Sequence, residues 1–185
     1  DDFKRNAGMA LAVVIIMCLG LRAEGRLVYC VCDGWQPWIT DTHSSHCSQH
    51  LLDTYSFTHY LHGFLFFGVL WWTRNHLSLG HRFLACVTLE SGWEIFENTQ
   101  FVIDRYRTAT MALGYHGDSI VNSLGDLLCC GLGFWTAARL SWKWTVGLFL
   151  TIELVLLLTI HDSLLLNVVM LLWPLESLKR WQLGV

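Results

Sequence analysis

Charge, proline and low-complexity sequence are all scarce in this chain, and each scarcity excludes a class of protein. Only 15% of the 185 residues are charged, whereas a soluble domain usually has about a quarter. The net charge is −3 and no run of Lys and Arg occurs, which argues against nucleic acid as a partner. Two prolines and the lack of biased tracts argue against a disordered linker. The sequence also contains no G-x-S-x-G, P-loop or dinucleotide fingerprint.

Apolar residues make up 54% of the chain, and ten Trp and ten Phe are among them. This composition is typical of a polytopic helical membrane protein, so we predict an all-α fold with a single integral membrane domain over residues 1–185. Apolar runs of suitable length predict about six transmembrane helices, of which the last is short or half-inserted. They lie at Ala7–Leu21, Thr54–Trp72, Arg82–Glu97, Ser119–Leu140, Trp144–Ile160 and Ser163–Leu175.

The first apolar run has a second interpretation. Lys4 and Arg5 precede it, and a basic stretch before an apolar run is also typical of a secretory signal peptide. No convincing small-x-small cleavage site follows the run, so we predict a retained first helix.

Lys and Arg in the loops predict the orientation, because cytoplasmic loops carry an excess of both. With six helices and a cytoplasmic N-terminus, eight Lys and Arg lie on the cytoplasmic side and four on the other. Both termini are therefore predicted to be cytoplasmic, and the segment of residues 24–53 is predicted to lie outside.

This outer segment contains Cys30, Cys32 and Cys47. In an oxidising compartment, a disulfide from Cys30 or Cys32 to Cys47 is one prediction, and the alternative is that the thiols stay reduced. A metal site is a further hypothesis, although its spacing fits no strict zinc template. Its ligands would be the histidines and cysteine of "HSSHCSQH", namely His43, His46, Cys47 and His50.

Three predicted helices carry polar stripes at their outer ends. Residues three, four, seven or eight positions apart share one face of a helix. Carboxylates within a membrane cost several kcal/mol unless they are paired, protonated or hydrated. We therefore predict a polar pocket near the outer leaflet where these stripes meet. The stripes are His59 and His62, then Glu90, Glu94 and Glu97, then Asp118, Asn122 and Asp126.

Each stripe also has a structural interpretation. The histidines could lie in the membrane interface, and the glutamates could face a water-filled vestibule. Asp118 or Ser119 could cap the fourth helix. Asn122 and Asp126 could hold helices together, with Gly125 allowing close packing.

Two histidines and several carboxylates suit a divalent metal such as Zn, Mn or Fe, which could activate water against an ester or phosphoester. We predict recognition, and hydrolysis or transfer, of a polar or phosphate-bearing group of a membrane lipid or lipid-linked substrate. The predicted metal ligands are His59, His62, Glu94 and Asp118. The predicted catalytic groups are Glu94, Glu97, Asp118, Asn122 and Asp126, with Arg105 and Arg107 as anion contacts.

The alternative function is non-catalytic. The pocket could bind a lipid, a quinone or a tetrapyrrole, and the chain could then serve as an accessory subunit beside partner membrane subunits. Sequence alone leaves both functions open.

Four segments carry a resemblance to a known family. "SQHLLDTYSFTHYLHGF", "GWEIFENTQFVIDRYR", "GYHGDSIVNSLGD" and "DSLLLNVVMLLWPLESLKRWQ" together resemble an uncharacterised family of bacterial inner-membrane proteins. The resemblance covers the chain from about Arg22 onward and implies the bacterial inner membrane as the location.

More distantly, the order His, Glu, Arg and Asp-x-x-x-Asn-x-x-Gly resembles the VanZ-like family. The matching positions are His59 or His62, Glu94 or Glu97, Arg105 or Arg107, and Asp118, Asn122 and Gly125. The long outer segment and Asp126 depart from that pattern. Neither family brings a settled reaction, so the resemblance indicates where the site lies rather than what it does.

Overall fold

The structure is a computed structural model that describes residues 2–32 and 35–184. The described part is mostly helical, which confirms the predicted fold class in its coarse form. The helices are α1 (Asp2–Ala23), α2 (Ser56–Leu70), α3 (Leu79–Glu97), α4 (Gln100–Ala109), α5 (Ile120–Arg139), α6 (Trp142–Ile160), α7 (Leu164–Leu172) and α8 (Glu176–Leu183). A 3₁₀ turn follows α2 at Trp71–Thr73, and two short strands, β1 (Trp38–Ile39) and β2 (Leu52–Asp53), pair in parallel.

Three helices are long and apolar enough to cross a membrane, namely α1 from Lys4, α5 and α6. Only 11% of the most apolar window is buried in α1 and in α6, so these two helices present most of their side chains outward. The six predicted spans are not all confirmed. α2 has 15 residues and α7 has 9, whereas a crossing helix needs about 20. α3 has 19 residues but includes Arg82 and the three glutamates of its stripe.

The end of the chain differs from the predicted sixth span. α7 ends before Trp173, and a separate helix, α8, begins at Glu176. Gln182 of α8 donates to the carbonyl of His161, and Lys179 donates to the carbonyl of Thr108. α8 therefore lies at the end of the bundle where α6 and α4 end. α4 itself occupies what the sequence analysis treats as a loop.

α2 and α5 pack backbone to backbone. A Cβ atom on Gly63 would overlap the carbonyl oxygen of Cys130 and the amide nitrogen of Phe134. A Cβ atom on Gly133 would overlap the carbonyl oxygen of Tyr60. Small residues allow such close approach between membrane helices. The contact fixes the rotation of α2 on α5, and with it the direction of every polar side chain on α2.

α3 completes the bundle between α1 and α5. On one side, Met17 and Leu21 of α1 pack with Val87 of α3. On the other side, Cys86 of α3 packs with Phe134 of α5. The C-terminal end of α3 and the N-terminal ends of α2 and α5 consequently lie together.

The segment that connects α1 to α2, residues 24–53, covers this end of the bundle. The first amides of a helix have no partner within the helix. The amides of Ile120 and Val121 at the start of α5 instead donate to the carbonyls of Leu27 and Val28, at 2.8 and 3.1 Å. Gly125 approaches the carbonyl of Leu51 so closely that a Cβ atom would overlap it. We call residues 24–53 the cover segment.

Within the described residues no cysteine forms a disulfide. The thiol of Cys47, which the sequence analysis pairs with Cys30 or Cys32, donates to Asp53 Oδ2 at 3.7 Å. Burial, followed by the charge of Asp53, raises the pKa of Cys47 well above its usual value. Cys47 is therefore held as a protonated thiol away from the other two cysteines.

The glycine contact between α2 and α5 generates a prediction. Gly63→Ala should lower the free energy of unfolding by roughly 1–3 kcal/mol, since the added methyl group has no space. Gly68→Ala on the same helix is the matched control, because nothing lies within 4 Å of its Cβ position. Helix propensity alone would stabilise both variants by up to about 1 kcal/mol. Thermal unfolding in detergent, followed by circular dichroism, measures both, and equal midpoints would contradict the packing.

Candidate functional site

His59, in the first turns of α2, is the centre of the site. Its Nδ1 lies 2.7 Å from Glu90 Oε1 and 3.2 Å from Glu94 Oε1. Its Nε2 lies 3.9 Å from Asp126 Oδ2. These four side chains are buried and come from α2, α3 and α5. The three polar stripes of the sequence analysis therefore meet in space around one imidazole ring.

His62 joins the same cluster through Glu90. Its Nδ1 lies 3.1 Å from Glu90 Oε2, while Glu90 Oε1 faces His59. The two imidazole rings meet edge to face, with centroids 5.0 Å apart. Glu90 thus bridges both histidines. Glu90 belongs to the predicted stripe of α3 but is not among the predicted site residues.

Glu94 and Glu97 are the carboxylates with spare coordination capacity. Glu94 is fully buried, and neither of its carboxylate oxygens has an aligned hydrogen bond. Glu97 Oε1 accepts a hydrogen bond from Tyr106 Oη at 2.6 Å, whereas Glu97 Oε2 has none. One ligand atom each from His59, Glu94 and Glu97 lie within 4.8 Å of one another. An orphaned buried carboxylate is costly, so this group of three fits a cation.

Asp118 faces the cluster from the loop before α5. Its Oδ2 accepts hydrogen bonds from Asn98 Nδ2 at 2.8 Å and from Tyr115 Oη at 3.0 Å. Burial raises the pKa of Asp118 above its usual value, although these two donors act in the opposite direction. Asp118 does not cap α5, because Ser119 Oγ accepts from the amide of Asn122 instead.

Asp126 and Asn122 have different surroundings on the same face of α5. Asp126 Oδ1 accepts a hydrogen bond from Ser56 Oγ at 2.7 Å, and Asp126 stays beside His59. Asn122 Nδ2 donates to the carbonyl of His50 at 2.9 Å. Asn122 therefore fastens the cover segment to α5 instead of contacting the carboxylates.

Arg105 and Arg107 do not reach the cluster. Arg105 Nε donates to the carbonyl of Leu171 at 2.8 Å, which joins α4 to α7. Arg107 Nε donates to the carbonyl of Tyr115, and its guanidinium also contacts His116. Both guanidinium groups therefore serve to hold backbone segments around the site.

Three partners of the carboxylates are not predicted from the sequence, namely Asn98, Tyr106 and Tyr115. Asn98 could have been predicted from the sequence, because it lies four residues after Glu94 and continues the polar stripe of α3. The two tyrosines carry no such signal. Tyr106 comes from α4 and Tyr115 from the following loop, and only the tertiary fold brings them to the site.

A cavity of about 890 Å³ lies between the cluster and the cover segment. His59, Glu97, Asp118 and Asp126 form part of one wall. Cys30, Cys32, His46 and the loop from Met111 to Gly117 form part of the other. This volume is within the range of small-molecule binding sites.

The four predicted metal ligands do not come together as one group; His59, His62 and Glu94 fall into two overlapping groups that also include Glu90 and Glu97. One group is His59, Glu94 and Glu97, and the other is His59, His62 and Glu90. Asp118 belongs to neither group within the described residues. Its carboxylate lies on the cavity wall instead, which suits contact with a bound molecule or with metal-bound water.

A further buried acid, Asp162, lies just after α6. Its Oδ2 accepts a hydrogen bond from Tyr55 Oη at 3.3 Å, and its Oδ1 accepts one from the amide of Ser163 at 2.9 Å. Burial raises the pKa of Asp162 from 3.8 to about 7 in spite of these donors. Near neutral pH this residue consequently changes its protonation state.

Comparison with known proteins identifies relatives over almost the whole chain. Residues 21–184 match the family model described as "Protein of unknown function (DUF2585)". A UPF0314 protein of Paracoccus denitrificans is 42% identical over 92% of this chain and 88% of its own length. Another from Rhizobium meliloti is 42% identical over 100% of this chain and 96% of its own length. No solved structure matches the chain. The likeness to the VanZ-like family is not supported by these matches and stays a hypothesis.

Asn98 generates the next prediction. Asn98→Ala removes the donor to Asp118 Oδ2 and the acceptor of the Asp118 amide, at 2.8 and 2.6 Å. Buried polar groups without partners cost roughly 1–3 kcal/mol. The free energy of unfolding should fall by that amount, and the variant should unfold at a lower temperature. The exposed Asn75→Ala is the control and should stay within about 0.5 kcal/mol of the parent chain. An Asn98→Ala midpoint equal to that of the control would contradict the proposed contact.

Asp162 generates a prediction on pH dependence. Because its folded pKa is about 7 and its ordinary value is 3.8, the folded chain binds more protons than the unfolded chain between these values. The stability contribution of Asp162 is therefore present at low pH and is lost as pH rises through about 7.

Thermal unfolding of the parent chain and of Asp162→Asn at pH 5 to 8 measures this contribution. The variant should lose less stability than the parent as pH rises. Asp104→Asn, at an exposed carboxylate, should keep the slope of the parent. Parallel slopes for Asp162→Asn and the parent would contradict the prediction.

Proposed function

The chain belongs to the DUF2585 family of bacterial proteins of unknown function, and we propose that it is a multi-pass inner-membrane protein with a divalent metal site at His59, Glu94 and Glu97. The metal ion would recognise a polar or phosphate-bearing group of a lipid-linked molecule and support its hydrolysis or transfer. One observation carries the proposal. Glu94 is fully buried with neither carboxylate oxygen in an aligned hydrogen bond, beside a histidine and a second carboxylate.

The outward surfaces of the helices support the membrane location. Leu11 of α1 and Leu158 of α6 are 62% and 70% exposed, as suits side chains that face lipid. Trp72 lies before Arg74, and Trp142 and Trp144 flank Lys143. Tryptophan beside basic residues is typical of the membrane interface. These residues lie at the end of the bundle opposite the site, which we assign to the cytoplasmic side.

We propose five crossings in place of the six that the sequence predicts. α1, α5 and α6 would cross on their own apolarity, and the hairpin of α2 and α3 would cross beside them, enclosed by their contacts. α7 would enter the membrane only partly. With the N-terminus in the cytoplasm, α8 would then lie at the outer face, together with the site.

The balance of charge in the site favours a cation as the first ligand. Five carboxylates and two histidines surround the cavity end of the bundle: Glu90, Glu94, Glu97, Asp118 and Asp126 with His59 and His62. Arg105 and Arg107 donate to backbone carbonyls away from these carboxylates. Arg26 also lines the cavity and donates to the carbonyls of His116 and Glu24. A phosphate group would otherwise meet carboxylates, so a metal ion between the carboxylates and the phosphate oxygens would favour its recognition.

The reaction uses the carboxylates on the cavity wall. His59, Glu94 and Glu97 would hold a divalent ion, which would supply a water of lowered pKa and polarise a phosphoryl or carbonyl oxygen. Asp126, held by Ser56 beside His59, is placed to accept the proton of the attacking water. That proton then passes to the oxygen that leaves with the lipid. Asp118, held by Asn98 and Tyr115, lines the same cavity and orients the polar group.

A specific observation favours a non-catalytic alternative. Glu97 and Asp118 already accept hydrogen bonds from fixed donors, Tyr106 for Glu97 and Tyr115 for Asp118. Carboxylates held in this way suit binding as well as proton transfer. In this alternative the same site binds a lipid head group or cofactor for a partner membrane subunit.

Binding of Mn²⁺, followed by electron paramagnetic resonance, tests the metal site in the protein purified in mild detergent without an affinity metal column. Manganese prefers carboxylate and imidazole ligands to thiolates. The parent chain should bind about one equivalent, and affinity should fall by roughly tenfold or more in His59→Ala and Glu94→Gln. His76→Ala and Glu176→Gln change exposed residues and are the matched controls. Both variants should bind Mn²⁺ like the parent chain.

Absence of Mn²⁺ binding in the parent chain, or equal binding in Glu94→Gln, would overturn the metal site. Release of phosphate from a lipid phosphomonoester in mixed micelles then separates the two functions. Turnover that depends on Mn²⁺ and is lost in Asp118→Asn, with Mn²⁺ still bound, supports the enzyme. Mn²⁺ binding without turnover supports the non-catalytic alternative.

A further inference from the structure

The cover segment is tied to α5 by backbone hydrogen bonds, but its described residues have little secondary structure of their own. Its described residues include no helix, and its strands contain two residues each. Val31 and Trp35 are 84% and 65% exposed, so the segment has little apolar core of its own. Short segments of this kind usually need a disulfide or a metal. The described cysteines form no disulfide.

We propose that Cys30, Cys32, His46 and His50 bind a zinc ion that fastens the cover segment. One ligand atom from each of the four side chains lies within 4.8 Å of the others. Two cysteines and two histidines form one of the common ligand sets of structural zinc. The inference does not depend on the function proposed for the His59 site.

The spacing of the ligand atoms is close to that of a tetrahedral site. Zinc bonds of about 2.3 Å to sulfur and 2.0–2.1 Å to nitrogen place tetrahedral ligands roughly 3.3–3.8 Å apart. Cys30 Sγ lies 3.2 Å from His46 Nδ1, and Cys32 Sγ lies 3.4 Å from His50 Nε2. Two edges of the tetrahedron are therefore formed already. The longest separation, at most 4.8 Å, needs to close by about 1 Å.

His50 is oriented for metal binding by its other ring nitrogen. Its Nδ1 lies 2.9 Å from the carbonyl oxygen of Gln36 and 2.7 Å from Tyr29 Oη. A carbonyl oxygen only accepts, so Nδ1 carries the proton and donates it there. The lone pair then lies on Nε2, which faces Cys32. Such a second hydrogen bond, which fixes ring and tautomer, is a regular feature of metal-binding histidines.

The ligand set differs from the one that the sequence predicts. His43 is exposed, and Cys47 is engaged with Asp53. Cys30 and Cys32 take their places, because the amide of Cys30 bonds to the carbonyl of Gln49 and draws the two ends of the segment together. The spacing of "HSSHCSQH" therefore supplies only half of the site.

The position of the proposed zinc site indicates its role. Cys30, Cys32 and His46 line the same cavity as Glu97, Asp118 and Asp126. His50 connects to α5, since its carbonyl accepts from Asn122. A zinc ion here would hold one wall of the cavity against the helix that carries Asp126.

Zinc content and cobalt spectroscopy of the full chain in mild detergent test the inference. After replacement by Co²⁺, the parent chain should show a thiolate-to-cobalt charge-transfer band in the near ultraviolet, which a carboxylate and imidazole site cannot give. Bound zinc should fall by about one equivalent in Cys30→Ser/Cys32→Ser. Cys47→Ser and His43→Ala are the matched controls from the same segment and should keep both the zinc and the band.

The two proposed metal sites can be tested independently. A double variant of the first site, His59→Ala/Glu94→Gln, should retain the thiolate band if the cover segment binds zinc. If Cys30→Ser/Cys32→Ser does not fold, alkylation of the parent chain by iodoacetamide tests the site instead. Zn²⁺ should lower the alkylation rate of Cys30 and Cys32 by a factor at least tenfold greater than for Cys129. Lack of the band, equal alkylation with and without Zn²⁺, or a disulfide at Cys30 or Cys32 in the purified protein would overturn the inference.

Discussion

The cost of placing carboxylates inside a helix bundle is the constraint on which the rest of this structure depends. A buried ionised group is tolerated only with a partner, and here five carboxylates share two histidines at one end of the bundle. Glu90 meets the requirement through His59 and His62, and Asp118 through Asn98 and Tyr115. Glu94 lies 3.2 Å from His59 Nδ1, but neither of its oxygens accepts an aligned hydrogen bond. A proton on Glu94 or a bound cation would remove the remaining cost, and the neighbouring His59 and Glu97 suit a cation.

Close packing of α2 on α5 makes this arrangement possible. With Gly63 and Gly133 at the contact, the two backbones touch, and the first turn of α2 lies directly over the first turns of α5. Ser56 can then donate to Asp126, and His59 can lie between Asp126 and the glutamates of α3. Larger residues at the contact would separate the helices and open these short distances. The glycines thus determine the geometry of the site without belonging to it.

Helical periodicity predicts which polar residues meet better than hydropathy predicts the crossings. The stripes on α2, α3 and α5 depend only on which residues share a helix face, and the structure brings them to one end of the bundle. The number of crossings depends on length and apolarity, and α2 is short while α3 is polar because both carry the site. Arg105 shows a further limit. In a loop its guanidinium could have reached the carboxylates, but α4 is a helix and directs it toward α7.

The two walls of the cavity keep their shape through different interactions. One wall belongs to helices, whose backbone bonds and interhelical contacts fix His59 and Asp126 without further help. The other wall belongs to the cover segment, whose backbone is tied to α5 at Leu27, Val28 and His50 but has little secondary structure of its own. A molecule that reaches Glu97, Asp118 or Asp126 through this cavity passes between these walls. We therefore expect the rigidity of the cover segment to affect access to these carboxylates, and the clustered cysteines and histidines belong to that segment.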